Sequence, residues 1–225
     1  MNFHIMTLFP AMLDAILSES IIGRAIKSEA ITVKLYDIRN YTTDKHRKVD
    51  DTPYGGGCGM IMACQPIVDC YRALISEING SVHTIYMSPQ GRLFDQQKAV
   101  DFKQYDNLII LCGHYEGVDE RAIELIIDEE ISIGNYVLTG GELPAAIVCD
   151  AIARLCDGVL PSPECYKEES IHSGLLEYPQ YTKPYEFEGK TVPQVLISGH
   201  HANIKKWRTE QSLERTKRKR PELLK

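Results

Sequence analysis

Two short apolar segments, residues 82–87 and 107–112, stand on either side of a segment with helical periodicity, Asp95–Phe102. Strands joined through a helix pair in parallel, because a parallel pair needs a long crossover connection. A third apolar stretch at 131–138 follows another helix-like segment near 119–127. The sequence therefore predicts an α/β fold in which helices cover both faces of a parallel sheet.

Periodicity and proline content divide the chain into three regions. Strands predicted at 2–9 and 31–37 and a helix at 142–156 extend the α/β pattern, so the α/β domain is assigned to residues 1–160. Residues 161–190 contain several prolines and little periodicity, as expected of a flexible interdomain linker. Residues 191–225 favour helix and form a predicted small helical domain.

Composition excludes several classes of protein. At 225 residues, 44% of them hydrophobic, the chain is long enough for a sizeable core. It contains no run of about 18 apolar residues and no signal-peptide pattern at its N-terminus, which predicts neither a membrane span nor secretion. Seven cysteines form no CxxC pair, and this odd number favours reduced thiols in the cytoplasm over disulfides or structural zinc.

Charge is distributed unevenly along the chain. The formal net charge is -6, yet residues 201–225 hold nine Lys or Arg against three Glu. This basic end is either an electrostatic footprint for a polyanion or a solvated helix face, and charge alone leaves both interpretations open.

Loops of small and polar residues follow the three apolar segments. They are Ser88–Gly91, Gly113–Gly117, Gly134–Tyr136 and Thr139–Glu142. Because ligands of open α/β sheets bind at the carboxyl ends of the strands, these loops predict a compact pocket, with ordinary turns as the alternative. Such a pocket favours a flat polar ring held by main-chain hydrogen bonds.

Two common nucleotide-binding motifs are missing. The Gly55-x-Gly57 pair is followed by Met60, where a third glycine would complete the GxGxxG pattern. A phosphate loop ending at Gly189–Thr191 would need a glycine at position 184, which is Pro184. The sequence therefore supports neither a Rossmann dehydrogenase nor a P-loop nucleotidase.

An arginine and a carboxylate are the residues most suited to chemistry. Arg154 is the only basic residue of a mainly apolar predicted helix, and Glu168 or Glu169 lies in the linker. Burying an unpaired charge is costly, so Arg154 needs a partner or a ligand, and a structural salt bridge fits as well as catalysis. No metal ligand is assigned, because adjacent helical residues such as His200 and His201 point about 100° apart.

Several motifs occur in order along nearly the whole chain. They are Asp44–His46, Asp50–Gly57, Tyr86–Gly91, Cys112–Arg121, Ser132–Ala145, Leu196–His201 and Arg220–Leu224. Through these motifs the chain closely resembles the bacterial tRNA (guanine-N1)-methyltransferase family.

The resemblance implies a SPOUT-type parallel sheet with a deep trefoil knot, and S-adenosylmethionine as the methyl donor. It implies an obligate homodimer that methylates N1 of guanine 37 in tRNAs that also carry guanine 36. It associates the chain with Mg²⁺ and implies neither a DNA nor a membrane partner. The implied cofactor-binding residues are Tyr86, Met87, Ser88, Pro89, Gly113, Tyr115, Glu116, Ile133, Gly134, Asn135, Tyr136, Val137, Leu138, Gly140, Gly141 and Pro144.

The resemblance also implies a mechanism. In the family a linker aspartate removes the N1 proton and a helix arginine donates to O6 of the guanine. Glu169 occupies the first position here, with Glu168 as the second choice, and Arg154 occupies the other. The implied tRNA-binding residues are Asp50, His114, Lys183, His201, Lys205, Lys206, Arg208, Arg215, Arg218 and Arg220. Besides Glu169, the departures from the family pattern are His114 and Lys183 for Arg, Glu177 for Asp and Gln180 for His.

Two alternative functions stay open. The first is a non-catalytic RNA-binding homologue that has lost turnover through the glutamate at position 169. The second is a knotted methyltransferase that acts on ribosomal RNA or on a tRNA ribose hydroxyl.

Overall fold

The computed structural model describes residues 1–162, 169–171 and 174–224. Contacts within this part of the chain divide it into two units, Met1–Pro161 and Ser162–Lys225. The elements of the first unit are β1 (Asn2–Thr7), α1 (Pro10–Leu17), α2 (Ser20–Lys27), β2 (Thr32–Asp37), β3 (Asp50–Asp51), β4 (Ile61–Met62), α3 (Cys64–Ile75), β5 (Val82–Leu93), α4 (Gln96–Phe102), β6 (Asn107–Cys112), α5 (Glu120–Ile126), β7 (Glu129–Ser132) and α6 (Glu142–Ala153).

The large sheet of the first unit has the strand order β2-β1-β6-β5-β7. Every neighbouring pair in it is parallel. Strand β6 lies at the centre of the sheet. Because both of its faces are covered, it is buried at every position from Asn107 to Cys112. The α/β architecture with a parallel sheet, predicted from the sequence, is confirmed.

Helices cover both faces of this sheet. On one face, Met6, Ile109 and Leu111 form an apolar cluster with Ile67 and Leu74 of α3. The alternate residues of β1 and β6 point to the opposite face and are equally buried, which requires a second helical layer. Helix α6 provides this layer with α1 and α4, since it contacts β1 and β6 and packs against both helices.

Strands β5 and β7 differ from their predicted bounds. β5 continues through the predicted loop to Leu93, and its pairing with β7 shifts register between Met87 and Arg92. β7 ends at Ser132, so the strand predicted at 131–138 is wrong beyond that residue. The chain leaves the sheet there because Gly134 has a φ of 152°, a conformation open to glycine and not to residues of a regular strand.

The second unit contains β8 (Glu186–Phe187), β9 (Lys190–Thr191), α7 (Gln194–Ile197) and α8 (His201–Lys219). The antiparallel pair β8–β9 begins in the segment 161–190, whose sequence suggests an aperiodic linker, and ends one residue beyond it at Thr191. Helix α8 is fixed to the preceding chain through Thr216, whose buried hydroxyl accepts from the Leu176 amide (2.8 Å) and donates to the Ser212 carbonyl (2.7 Å). Across the described ranges, no helix combines the length and the apolar character needed to cross a membrane.

Candidate functional site

A cavity of about 330 Å³ opens where β6 and β7 end beside the middle of β5. The register of the sheet places Met87 of β5 beside both Cys112 and Ile131, at the ends of the other two strands. The loops after β6 and β7 form the walls of the cavity together with residues 86–90 of β5. The pocket expected from the sequence at this edge is therefore present, and most of its lining comes from the segments named for it.

Most residues named for the cofactor line this cavity. The residues that do so are Tyr86, Met87, Ser88, Pro89, Gly113, Tyr115, Glu116, Ile133, Gly134, Tyr136, Val137, Leu138, Gly140, Gly141 and Pro144. Asn135 is absent from the lining, and its side chain is exposed. Glu120 and Glu130 line the cavity although sequence reasoning did not select them.

Backbone contacts join the loop after β6 to the loop before α6. His114 and Gly140 form an antiparallel bridge, and the Gly141 amide donates to the Gly113 carbonyl (2.8 Å). A Cβ at position 141 would lie 2.8 Å from the Cα atom of Cys112, so only glycine permits this close approach. One wall of the cavity is therefore main chain on main chain.

Three acidic residues also line the cavity. They are Glu116, Glu120 and Glu130. Burial, with Glu130 and Glu120 nearby, raises the pKa of Tyr86 to about 12, so its hydroxyl stays protonated at neutral pH. The three carboxylates favour a ligand that carries positive charge, whereas the apolar residues Ile133 and Leu138 suit a flat ring.

A second cavity of about 370 Å³ shares His114 and the segment 137–140 with the first. Its buried carboxylate, Glu142, accepts from the Thr7 hydroxyl (2.7 Å) and begins helix α6, where the helix dipole favours negative charge. Nδ1 of His114 lies 3.9 Å from this carboxylate. His114, which the sequence assigns to tRNA, thus lines both cavities.

The short hairpin β3–β4 is bound to the loop that carries Glu116. The Glu116 amide donates to the Met60 carbonyl (3.0 Å), and the Met62 amide donates to the Gly117 carbonyl (2.9 Å). Asp50, predicted to contact tRNA, lies in this hairpin opposite Met62. The polar segment before Gly59 is therefore attached to the cavity wall by backbone hydrogen bonds.

The two residues proposed for catalysis lie in different units. Arg154 caps the C-terminus of α6 in the first unit, where its amide donates to the Asp150 carbonyl (3.2 Å). Glu169 is half-buried in the second unit, next to Ser170, whose hydroxyl accepts from the Glu177 amide (2.9 Å). Glu168, the second choice for the base, lies outside the described residues.

Helix α8 carries most of the residues predicted to bind tRNA. His201, Lys205, Lys206, Arg208 and Arg218 are exposed along it, and Arg220 and Lys183 are exposed elsewhere in the second unit. Some of these also have structural contacts.

Arg208 lies 4.6 Å above the Tyr178 ring, and Arg215 donates to the Glu177 carbonyl (3.3 Å). Gln180 donates to the Glu177 carboxylate, so two departures from the family pattern contact each other.

No candidate metal site is found among the described residues. No group of three or more His, Cys, Asp or Glu side chains in those ranges could hold an ion.

Comparison with known proteins gives a consistent result over the full length. The family model described as tRNA (Guanine-1)-methyltransferase TrmD matches residues 1–225. A tRNA (guanine-N(1)-)-methyltransferase of Lachnospira eligens is 58% identical over 223 residues, covering 99% of this chain and 94% of the relative. The protein of the same name from Ruminiclostridium cellulolyticum is 55% identical, covering 99% of this chain and 96% of the relative.

Proposed function

The chain belongs to the tRNA (guanine-1)-methyltransferase family, and from this premise we propose that it transfers a methyl group from S-adenosylmethionine to N1 of guanine 37 in tRNAs that also carry guanine 36. The observation that carries the proposal is the cavity at the sheet edge, whose walls are the loops that hold the family motifs. We also propose a cytoplasmic location, which suits a protein that methylates tRNA.

The residues of the cavity fit S-adenosylmethionine. This cofactor carries a sulfonium and an ammonium group, and Glu116, Glu120 and Glu130 supply carboxylates to the lining. Its adenine ring suits the apolar side chains of Ile133 and Leu138. When bound, the cofactor supplies an electrophilic methyl group on its sulfur atom.

A trefoil knot is part of the proposal. In the sheet, β5 lies between β6 and β7, yet the chain after β7 returns to the loop after β6. The His114–Gly140 bridge and the Gly141–Gly113 hydrogen bond fix this return path across the end of β5. Such a crossing supports a threaded connection, a rare exception to unknotted folds.

Two side chains would perform the chemistry. Guanine N1 carries a proton at neutral pH, so the Glu169 carboxylate accepts this proton as the bond from N1 to the methyl carbon forms and the carbon–sulfur bond breaks. Negative charge grows on O6 of the guanine, and the Arg154 guanidinium donates to that oxygen. We assign no residue to Mg²⁺ and derive no step through it, because the described residues offer no three-ligand group.

Helix α8 would supply most of the contacts to the tRNA backbone. Exposed Lys and Arg residues bind phosphates with little dependence on sequence. Specificity would then come from the flipped guanine and its neighbour, because chemistry at N1 requires the base to leave its stack.

A homodimer is also proposed. Helices α1 and α6 pack together, and Met12, Ile16, Leu143 and Ile147 on them are between 41% and 48% exposed. Met12 and Leu143 continue this patch into the second cavity. An adjoining set of large exposed apolar residues is typical of a protein–protein interface, and a second copy of the chain would cover it.

The test is methyl transfer from labelled S-adenosylmethionine to matched tRNA transcripts. One transcript carries guanine at 36 and 37, and two controls replace either guanine with adenine. Incorporation into the first transcript alone, mapped to N1, is the expected result. Reactions with Mg²⁺ and with a chelator establish the metal requirement.

Binding of cofactor and tRNA without transfer would instead identify a non-catalytic RNA-binding protein. Transfer to the A37 control, or to a ribose hydroxyl, would identify a methyltransferase with another RNA target.

A further inference from the structure

We propose that Gly59 is a positioning residue for Glu116: the missing side chain at position 59 leaves the space in which the Glu116 side chain lies, and so keeps its carboxylate at the cavity. This inference rests on the proposed cofactor site and adds to it a residue of the β3–β4 hairpin that does not line the cavity.

The backbone around Glu116 is fixed on both sides. Tyr115 has a φ of 59° and Gly117 a φ of 131°, so the loop turns sharply at each neighbour. The hydrogen bonds from the Glu116 amide to Met60 and from the Met62 amide to Gly117 hold this loop against the hairpin. The Glu116 side chain therefore leaves the backbone at a set position and direction, directly over the hairpin.

The Glu116 side chain occupies the place where residue 59 would carry a Cβ atom. A Cβ built on Gly59 would lie 2.7 Å from Oε1 of Glu116 and closer still to its Cγ atom. Real Cβ atoms do not approach other atoms so closely, so one partner must move. Glu116 is exposed and flexible, whereas the hairpin is bound through its backbone, so the carboxylate is the group that moves.

The same hairpin contains a matched control. Gly55 has a φ of 86°, close to the 83° of Gly59, so alanine meets the same backbone strain at both positions. No heavy atom lies within 4 Å of a Cβ built on Gly55. The difference in cofactor affinity between Gly59→Ala and Gly55→Ala therefore reports the effect of the contact with Glu116 alone.

The experiment measures the affinity of the full-length protein for S-adenosylmethionine by calorimetry, together with thermal stability. The variants are Gly59→Ala, Gly55→Ala, Glu116→Ala and the double variant Gly59→Ala/Glu116→Ala. We expect Gly59→Ala and Glu116→Ala each to weaken binding about tenfold, the usual effect of losing one charge-assisted hydrogen bond. Gly55→Ala should bind like the unchanged protein, and the double variant like Glu116→Ala alone.

Each result has a distinct meaning. Wild-type affinity in Gly59→Ala, or independent losses that multiply in the double variant, would overturn the positioning role while leaving the cofactor site intact. Unchanged affinity in Glu116→Ala would overturn both this inference and the assignment of Glu116 to the cofactor. If Gly59→Ala alone fails to fold, recovery of folding in the double variant supports the steric link, and failure of both overturns it.

Discussion

Glu169 places its carboxylate one methylene further from the backbone than the aspartate expected at this position in the family. We expect Glu169→Gln to lower the rate of methyl transfer about 100- to 10,000-fold, the usual contribution of a general base. Glu169→Asp is the matched control, because it keeps the carboxylate and should keep most of the rate. Single-turnover kinetics measure the step directly.

Affinity for S-adenosylmethionine should be equal in both variants, since the role proposed for the carboxylate is to take a proton from the guanine. A fully active Glu169→Gln variant would assign the base to another group.

His4 is a buried histidine with both ring nitrogens in hydrogen-bonding distance of a partner. Its Nε2 lies 3.2 Å from Oδ1 of Asn107, and its Nδ1 lies 3.2 Å from the Tyr36 hydroxyl. Since Asn107 donates through its amide nitrogen to the Asn79 carbonyl, its Oδ1 accepts from His4. This arrangement suits the neutral ring, and burial lowers the pKa of His4 below its ordinary value of 6.5.

The lowered pKa of His4 predicts a loss of stability in mild acid. As the pH falls through 6.5, the unfolded chain binds a proton at this position before the folded chain does, which favours unfolding. The free energy of unfolding should therefore decrease between about pH 7 and pH 5, and less so in His4→Gln, which cannot titrate. Denaturant titrations at several pH values measure both slopes. Equal slopes would show that another group causes the loss.

Individual residues of the site differ in how far sequence could select them. Gly113 and Glu116 lie in loops whose small and polar residues stand out after apolar strands, so both were predicted to line the pocket. Glu120 lies at the start of α5 and Glu130 within β7, outside the loops that follow the strands. No local sequence signal therefore marks them as residues of the cavity. Asn135 was included with its neighbours, but the chain direction at that point turns it to solvent.

At the scale of elements, burial decides which strands can be predicted from the sequence. β1 and β6 are predicted well because both faces are covered: β6 is apolar except for Asn107, and β1 carries Phe3, Ile5 and Met6. The edge strand β7 begins with Glu129, which pairs with Lys98 at 2.7 Å, so its first half looks like a polar loop. β5 continues past Met87 because β7 pairs again with Arg92, a long-range contact without a local signal.

Thr216 and Thr209 of helix α8 provide a matched pair for testing how the helix is held. Both hydroxyls donate to the carbonyl four residues earlier, but only Thr216 is buried and accepts from the Leu176 amide. We expect Thr216→Val to lower stability by about 1–3 kcal/mol, because it leaves that amide without its acceptor. Thr209→Val should be nearly neutral.

Denaturant unfolding measures the loss, and faster hydrogen exchange at the Leu176 amide localises it. Equal effects of the two valines would mean that the Leu176 contact contributes little.

At the scale of the whole molecule, the net charge of -6 conceals a basic C-terminal segment. We expect tRNA affinity to fall with salt, and the slope of log Kd against log salt to drop by about two when Lys205 and Arg218 are both changed to alanine. Arg24→Ala/Lys27→Ala removes the same charge from helix α2 of the first unit and should leave the slope unchanged. Filter binding over a range of salt measures this, and identical slopes in both double variants would exclude helix α8 as the phosphate contact.

Self-association is the second prediction at this scale. Ile147 is 48% exposed on the α1–α6 face, and Leu125 is 63% exposed on α5. We expect Ile147→Glu to dissociate the proposed dimer, because the interface would bury an unpaired charge. Leu125→Glu introduces the same charge elsewhere and should stay dimeric. Sedimentation velocity distinguishes the two, and a monomer in the unchanged protein would disprove the dimer itself.

The main-chain wall of the cavity also bears on how this site can change during evolution. At Gly113 and Gly141 any added side chain would strike Tyr86 or the strand end beside it. Substitutions at these points can shrink the cavity but cannot reshape it for a different ligand. A competitive inhibitor that copies the backbone contacts proposed for the cofactor would therefore leave few escape mutations there, since a substitution that excludes the inhibitor would also exclude the methyl donor.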